Sequence, residues 1–185
     1  MKKIVLLFSG EGSNAQNIVK QLHKKECEVV CGITNKKDAP GIAKLEALDV
    51  ECRVLEHGNF ASREAFDEEL VTLIKSYEPD LVVLSGFMRI LTEVFTSQVN
   101  SINLHPSLLP KYKGAKAIEQ SYKSCDKECG VSVHWVNNEL DGGEIILQKS
   151  FVREDEQDYK SFVAKIKALE YEIMPEAIVK VLQQA

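Results

Sequence analysis

Apolar residues in the first half of the chain fall into short runs, separated by longer stretches in which apolar positions recur at helical spacing. That alternation is the pattern of repeated βαβ units. The runs predict strands at Ile4–Phe8, Val29–Ile33, Glu51–Leu55 and Leu81–Ser85, with helices between them at about residues 13–25, 41–49 and 62–77. Leu81-Val82-Val83-Leu84 is apolar at every position, as befits a parallel strand covered on both faces by crossover helices. Ser62 is followed three residues later by Ala65 rather than Glu, so the capping box is incomplete, although the hydroxyl can still cap. The fold class predicted is an open, doubly wound, Rossmann-like α/β sheet, parallel in the N-terminal half.

After residue 100 the rhythm changes. A strand at Ile102–Leu104 leads into the Pro-rich loop HPSLLPKYKG, and further strands are predicted near Val131–Val136 and Glu144–Phe151. The short gap from Asn137 to Gly142 suits an antiparallel pair better than a crossover, so the C-terminal half of the sheet is expected to be mixed. Phe162, Ile166, Leu169 and Ile173 share helical spacing in a last helix from about Asp158 to Gln184. Pro175 is expected to break or kink that helix, because it removes a donor and crowds the preceding turn. No linker or internal repeat interrupts the chain, which reads as one domain over 1–185.

Composition narrows the class. The 185 residues suffice for a core of their own, and 44% hydrophobic with 28% charged residues argues against disorder. A net charge of -5 speaks against a nucleic-acid partner, which would require a basic face. The apolar N-terminal run Ile4–Phe8 is too short for a signal core or a membrane span, so a cytoplasmic protein with no membrane partner is expected. The five cysteines (27, 31, 52, 125 and 129) are odd in number, and a disulfide framework is not expected. The C-x3-C spacings lack a convincing set of histidines, so no metal is expected either. Cys27 and Cys31 share strand parity with Val29 and Ile33, and burial on one face accounts for them.

Several segments could carry chemistry. Ser9-Gly10-Glu11-Gly12-Ser13-Asn14 follows the first strand, where backbone N–H groups at a helix start can receive a phosphate. The run lacks the third glycine of a dinucleotide fingerprint and the lysine of a nucleoside-triphosphate loop. A tight turn with Ser13 or Asn14 capping the helix is an equally open reading. Asn103 and His105 share a face at the carboxyl end of a strand, and Pro106 holds His105 extended. An amide beside an imidazole can stabilise an oxyanion and move a proton, while the simpler reading is an edge histidine beside a turn-forming Asn. Asp141, before Gly142-Gly143, can face that imidazole, and a carboxylate there favours the cationic ring; ordinary Asp-Gly turn chemistry is the alternative. His134 reads as a cross-strand packing residue. Gly86-Phe87-Met88-Arg89-Ile90-Leu91 suits the wall of a pocket for a flat acidic ligand, or equally a helix start packed on the core. Glu170, on the apolar seam of the last helix, can pair with Lys167 or hold a substrate amine.

Taken together, GEGSN, SREAFDEEL, GFMRIL, INLHPSLLPKYKG, GVSVHWV and ELDGGEIILQ resemble the phosphoribosylglycinamide formyltransferase family over essentially the whole chain. The resemblance implies 10-formyltetrahydrofolate as co-substrate, glycinamide ribonucleotide as acceptor, and no metal, with a phosphate-binding N-terminal half at about 1–100 and a folate-binding and catalytic C-terminal half at about 101–185. It implies catalytic roles for Asn103, His105 and Asp141. It places the acceptor at Gly12, Ser13, Asn14, Lys167 and Glu170. It places the folate at Arg63, Met88, Arg89, Ile90, Leu91 and Asn103, and at Asn137, Asn138, Glu139, Leu140 and Asp141. The implied reaction is direct attack of the acceptor amine on the formyl carbon through a tetrahedral intermediate. Two departures stand out: Ala115-Lys116-Ala117-Ile118 replaces a stretch where many members place a histidine near Ile118, and Glu11 brings a negative charge to the phosphate turn, tolerable only with its side chain in solvent. Other folate-dependent formyl enzymes, of the deformylase or tRNA formyltransferase type, and a non-catalytic folate-binding module are the alternatives. Oligomeric state is not legible.

Overall fold

A computed structural model describes residues 1–184. Its core is a seven-stranded sheet in the order β3-β2-β1-β4-β5-β6-β7. The strands are β1 (Lys3–Phe8), β2 (Glu28–Thr34), β3 (Cys52–Val54), β4 (Leu81–Leu84), β5 (Ser101–His105), β6 (Glu128–Trp135) and β7 (Ile145–Val152). Pairing is parallel from β3 through β5, and β6 runs antiparallel to both β5 and β7. The mixed, Rossmann-like sheet expected from the sequence is therefore present, with β5–β6 as a further antiparallel contact.

Alternating side chains of β1 divide the interior into two layers. Ile4, Leu6 and Phe8 pack with α1 (Ser13–Leu22), α2 (Gly41–Glu46) and α6 (Tyr159–Gln184); Val5 and Leu7 pack with α3 (Arg63–Ser76) and α4 (Glu93–Thr96). Between β5 and β6 runs α5 (Ala117–Lys123). Neither α4 nor α5 stands out in the apolar pattern, being 4 and 7 residues long. Ser62 does cap α3, its hydroxyl accepting the Ala65 N–H at 3.1 Å.

The parity argument for the cysteines fails at one residue. Ile4 pairs with Val29 but Val5 pairs with Cys31, so Val30 is an extra residue in β2, a bulge that reverses which face the chain presents. Cys27 and Val29 consequently lie in one layer and Cys31 and Ile33 in the other. Both cysteines are buried, as expected, but on opposite faces.

Pro175 does not break α6, which continues over Tyr159–Gln184. A proline leaves the carbonyl four residues earlier without its helical donor, here that of Tyr171. That oxygen accepts the Asn17 side-chain amide at 2.9 Å and the Gln21 amide at 3.3 Å, both from α1. A neighbouring helix thus satisfies the orphaned acceptor, which is how a helix tolerates an internal proline without an unpaired buried group. Among the described residues no helix is long and apolar enough to cross a membrane, and no cluster of three or more His, Cys, Asp and Glu is set to hold a metal ion.

Candidate functional site

The strand order reverses direction between β1 and β4, the topological switch point at which open α/β sheets place ligands beyond the carboxyl ends of their strands. The segments after these two strands are joined there. Ser9 donates its N–H to the Gly86 carbonyl at 3.0 Å, and its hydroxyl accepts the Met88 N–H at 2.8 Å. The same hydroxyl donates to Asn35 Oδ1 at 2.6 Å, and Asn35 Nδ2 lies 3.2 Å from His57 Nδ1. The turn after β1 lines a cavity of about 230 Å³ with Lys36, Ser85, Gly86 and Met88.

Gly12 is the N-cap of α1, with φ +63°, and no side chain caps the helix. Ser13 and Asn14 are thus already helical, and the capping alternative for them does not hold. A Cβ on Gly12 would sit 2.6 Å from Gly41 Cα, so both the left-handed backbone and the close approach require glycine there. Glu11 does turn its side chain to solvent, 74% exposed, where Lys44 meets its carboxylate at 2.9 Å. Lys36 was not singled out by the sequence pattern. Its position two residues past β2, beside the switch point, is the signal that could have found it.

Asn14 donates to Glu170 Oε2 at 3.0 Å, across the gap between α1 and α6. Of the two readings left open for Glu170, the ion pair with Lys167 does not form, and the partner of Glu170 is on the other helix. Burial pushes the Glu170 pKa up, with the Asn14 amide and the Lys167 charge pulling against it. Asn14 Oδ1 is buried without a hydrogen-bond partner among the described residues.

Asn103 and His105 of β5 converge with Asp141 of the loop between β6 and β7. His105 Nδ1 is 3.4 Å from Asp141 Oδ2, and His105 Nε2 is 2.8 Å from the Tyr112 carbonyl. Each ring nitrogen faces an acceptor that an N–H would satisfy. Asn103 Nδ2 lies 3.5 Å from Asp141 Oδ1. The Gly114 N–H donates to Asp141 Oδ2 at 2.7 Å. His105 and Asp141 are buried, at 5% and 8% exposure, so their interaction is screened far less than a surface pair.

His134 joins this cluster, which corrects its reading as a packing residue. It pairs directly with Asn103 across β5 and β6. Its Nε2 is 3.2 Å from Asn103 Nδ2 and 3.5 Å from Asp141 Oδ1, while its Nδ1 donates to the Trp135 carbonyl at 2.8 Å. Burial is the largest influence on Asp141 and pushes its pKa up. The His134 hydrogen bond, the Gly114 N–H and the charges of the two histidines outweigh it, and the net shift is downward. Aligning the GVSVHWV run antiparallel to SINLH would have put His134 opposite Asn103.

The turn holding Asp141 differs from expectation. Asp141 itself takes the left-handed conformation, φ +51°, which Asp tolerates better than most residues. Gly143 is needed for a different reason, since a Cβ there would lie 1.7 Å from the Trp135 carbonyl oxygen.

The expected folate residues scatter more widely. Asn137, Asn138 and Glu139 line a cavity of about 420 Å³ with Thr96, Ser97 and Val136, and the Thr96 hydroxyl donates to Asn138. Met88, Ile90 and Leu140 are exposed apolar side chains. Leu91 packs instead on the α3 layer, and the Arg89 guanidinium lies over the Phe66 ring at 5.2 Å. Arg63 is exposed at the start of α3. Asp67, which the sequence pattern did not mark, is buried and accepts the Thr92 N–H at 2.6 Å and the Thr92 hydroxyl at 2.8 Å, anchoring the end of the 88–91 segment. Lys116 is exposed at the N-cap of α5, with φ +60°.

Known proteins resemble this chain in sequence and in fold. The formyl transferase family model matches residues 2–178. A phosphoribosylglycinamide formyltransferase of Escherichia coli is 41% identical over 93% of this chain and 83% of its own. One of Haemophilus influenzae is 36% identical over 95% of this chain and 84% of its own. The crystal structure of a phosphoribosylglycinamide formyltransferase from Campylobacter jejuni superposes with a TM-score of 0.95 at 47% identity, covering 98% of this chain and 97% of that one. The chain therefore belongs to the formyl transferase family, within its phosphoribosylglycinamide formyltransferase branch.

Proposed function

We propose that this protein transfers the formyl group of 10-formyltetrahydrofolate to the amine of glycinamide ribonucleotide, a step of de novo purine biosynthesis, in the cytoplasm. The observation that carries the reading is the cluster of Asn103 with the buried His105 and Asp141, in which β5 supplies the first two and the loop after β6 the third, in a chain whose relatives bear that enzyme name. In this reading the acceptor phosphate is received by the uncapped start of α1 at Gly12, Ser13 and Asn14, where free N–H groups and the helix dipole favour an anion. Lys36, in the wall of the same cavity, supplies a cation. The acceptor amine meets Glu170 and the unpartnered Asn14 Oδ1, a carboxylate and an amide oxygen that both accept hydrogen bonds. Lys167, exposed on α6, flanks this acceptor site. The folate lies along Met88–Leu91 and Asn137–Asp141, with Arg63 placed for an outlying acidic group.

The chemistry follows from the cluster. The amine nitrogen attacks the formyl carbon, and negative charge develops on the formyl oxygen. Asn103 donates to that oxyanion, and a cationic His105, its two ring nitrogens held by Asp141 and the Tyr112 carbonyl, stabilises it through charge. Asp141 holds His105 in orientation and balances its charge, and His134, paired with Asn103 across β5 and β6, orients the Asn103 amide. The proton lost by the amine passes to the departing folate nitrogen by way of water and these side chains.

Purified protein incubated with both substrates and followed by ultraviolet absorbance tests the proposal. Formyl loss that depends on acceptor is the expected result. Loss without acceptor would instead mark a deformylase, and folate binding without turnover a non-catalytic module.

A further inference from the structure

Alongside the contact between Asn14 and Glu170 runs a second link between α1 and α6 that involves no ligand-binding group. Pro175 has no N–H, and its ring crowds the carbonyl four residues before it, that of Tyr171, out of the helical ladder. Asn17 Nδ2 takes that oxygen at 2.9 Å. Gln21 Nε2 reaches the same oxygen at 3.3 Å and donates to Asn17 Oδ1 at 3.0 Å, turning the amide of Asn17 so that its NH₂ faces Tyr171. Asn14, Asn17 and Gln21 stand at helical spacing on one side of α1. They meet consecutive residues of α6, Glu170 and Tyr171.

We propose that Asn17 is a positioning residue for acceptor binding: by holding the carbonyl that Pro175 frees, it fixes the rotation of α6 that brings the Glu170 carboxylate to Asn14. The proposal rests on the reading of Asn14 and Glu170 as part of the acceptor site. The hold is needed because the carboxylate is largely desolvated there, and burial favours its withdrawal toward water. A neutral bond to the adjacent backbone opposes that withdrawal without occupying either Glu170 or the Asn14 oxygen. Pro175 is the source of the acceptor, because an ordinary residue at that position would engage the Tyr171 carbonyl within α6 and turn it away from α1.

Steady-state kinetics of Asn17→Ala, Pro175→Ala, the double variant and Glu170→Gln, with thermal melts of each, test the idea. The expected result is a rise of about 3- to 10-fold in KM for glycinamide ribonucleotide in Asn17→Ala, the range that loss of one such hydrogen bond gives. KM for the formyl donor should stay unchanged and kcat nearly so. Pro175→Ala weakens the same hold from the other helix, so the double variant should be no worse than the poorer single one. A lowered melting temperature with both KM values moved equally, or effects that multiply in the double variant, would overturn the proposal in favour of general helix packing. Glu170→Gln separates the two levels: an unchanged acceptor KM overturns the site reading itself. A raised one, with Asn17→Ala like wild type, overturns the role of Asn17 alone.

Discussion

Asp141 is the residue on which the proposed chemistry turns. It touches His105, His134, Asn103 and the Gly114 N–H at once, so replacing its charge alters the set of groups rather than one contact. Asp141→Asn should keep the fold and lower turnover by about 10²-fold or more, the range of a lost acid–base partner, measured as kcat in the two-substrate assay. The same variant should change acid stability. A carboxyl whose folded pKa lies below its unfolded value of about 3.9 stabilises the fold fully above that value and loses the contribution as pH falls through the folded one. Denaturant titrations stepped from pH 5 to pH 2 should therefore show a shallower fall for Asp141→Asn than for wild type; parallel curves would remove the carboxylate from the balance. Much of this cluster was legible residue by residue. Asn103 and His105 share strand parity and Asp141 precedes two glycines, all visible in one dimension. The role of His134 was not, because its identity as the neighbour of Asn103 exists only once β5 and β6 are put in register.

At the level of elements, the strands and helices α1, α2, α3 and α6 follow from apolar runs and spacing. What the pattern missed were elements decided by contacts made elsewhere. Thr92, the N-cap of α4, has its N–H and hydroxyl both held by Asp67 of α3, and the β2 bulge is set by pairing with β1. Asp67 thus links a core helix to the end of the 88–91 segment, the proposed folate wall. Asp67→Asn keeps the shape but removes the charge from two short hydrogen bonds, which should cost about 1.5–3 kcal/mol and raise KM for the formyl donor several-fold, with KM for the acceptor unaffected. Equal changes in both KM values would show that Asp67 serves the fold as a whole. Pro175 teaches the complementary lesson. Its local rule is correct, but the rule's consequence, a free carbonyl at Tyr171, is met from α1.

On the scale of the molecule, the expectation of one domain with two functional halves can be put to a physical test. The sheet passes from β4 to β5 to β6 without a break in hydrogen bonding, and α6 packs in the same layer as α1. We therefore propose that the halves unfold together. Calorimetry should show one transition with van't Hoff and calorimetric enthalpies in agreement; two transitions would mean that the halves are separate folding units. The low net charge and ordinary composition that spoke against nucleic acid say nothing about these contacts, which is why composition could bound the class and not the architecture.

The hydroxyl of Ser9 receives the Met88 N–H and gives its own proton to Asn35, so the segments following β1, β2 and β4 are knotted at a single oxygen. The wall that lines the cavity of about 230 Å³ after these strands therefore has its shape settled at folding. A ligand that settles there finds three loops already ordered, so that entropy cost is borne by folding rather than by binding.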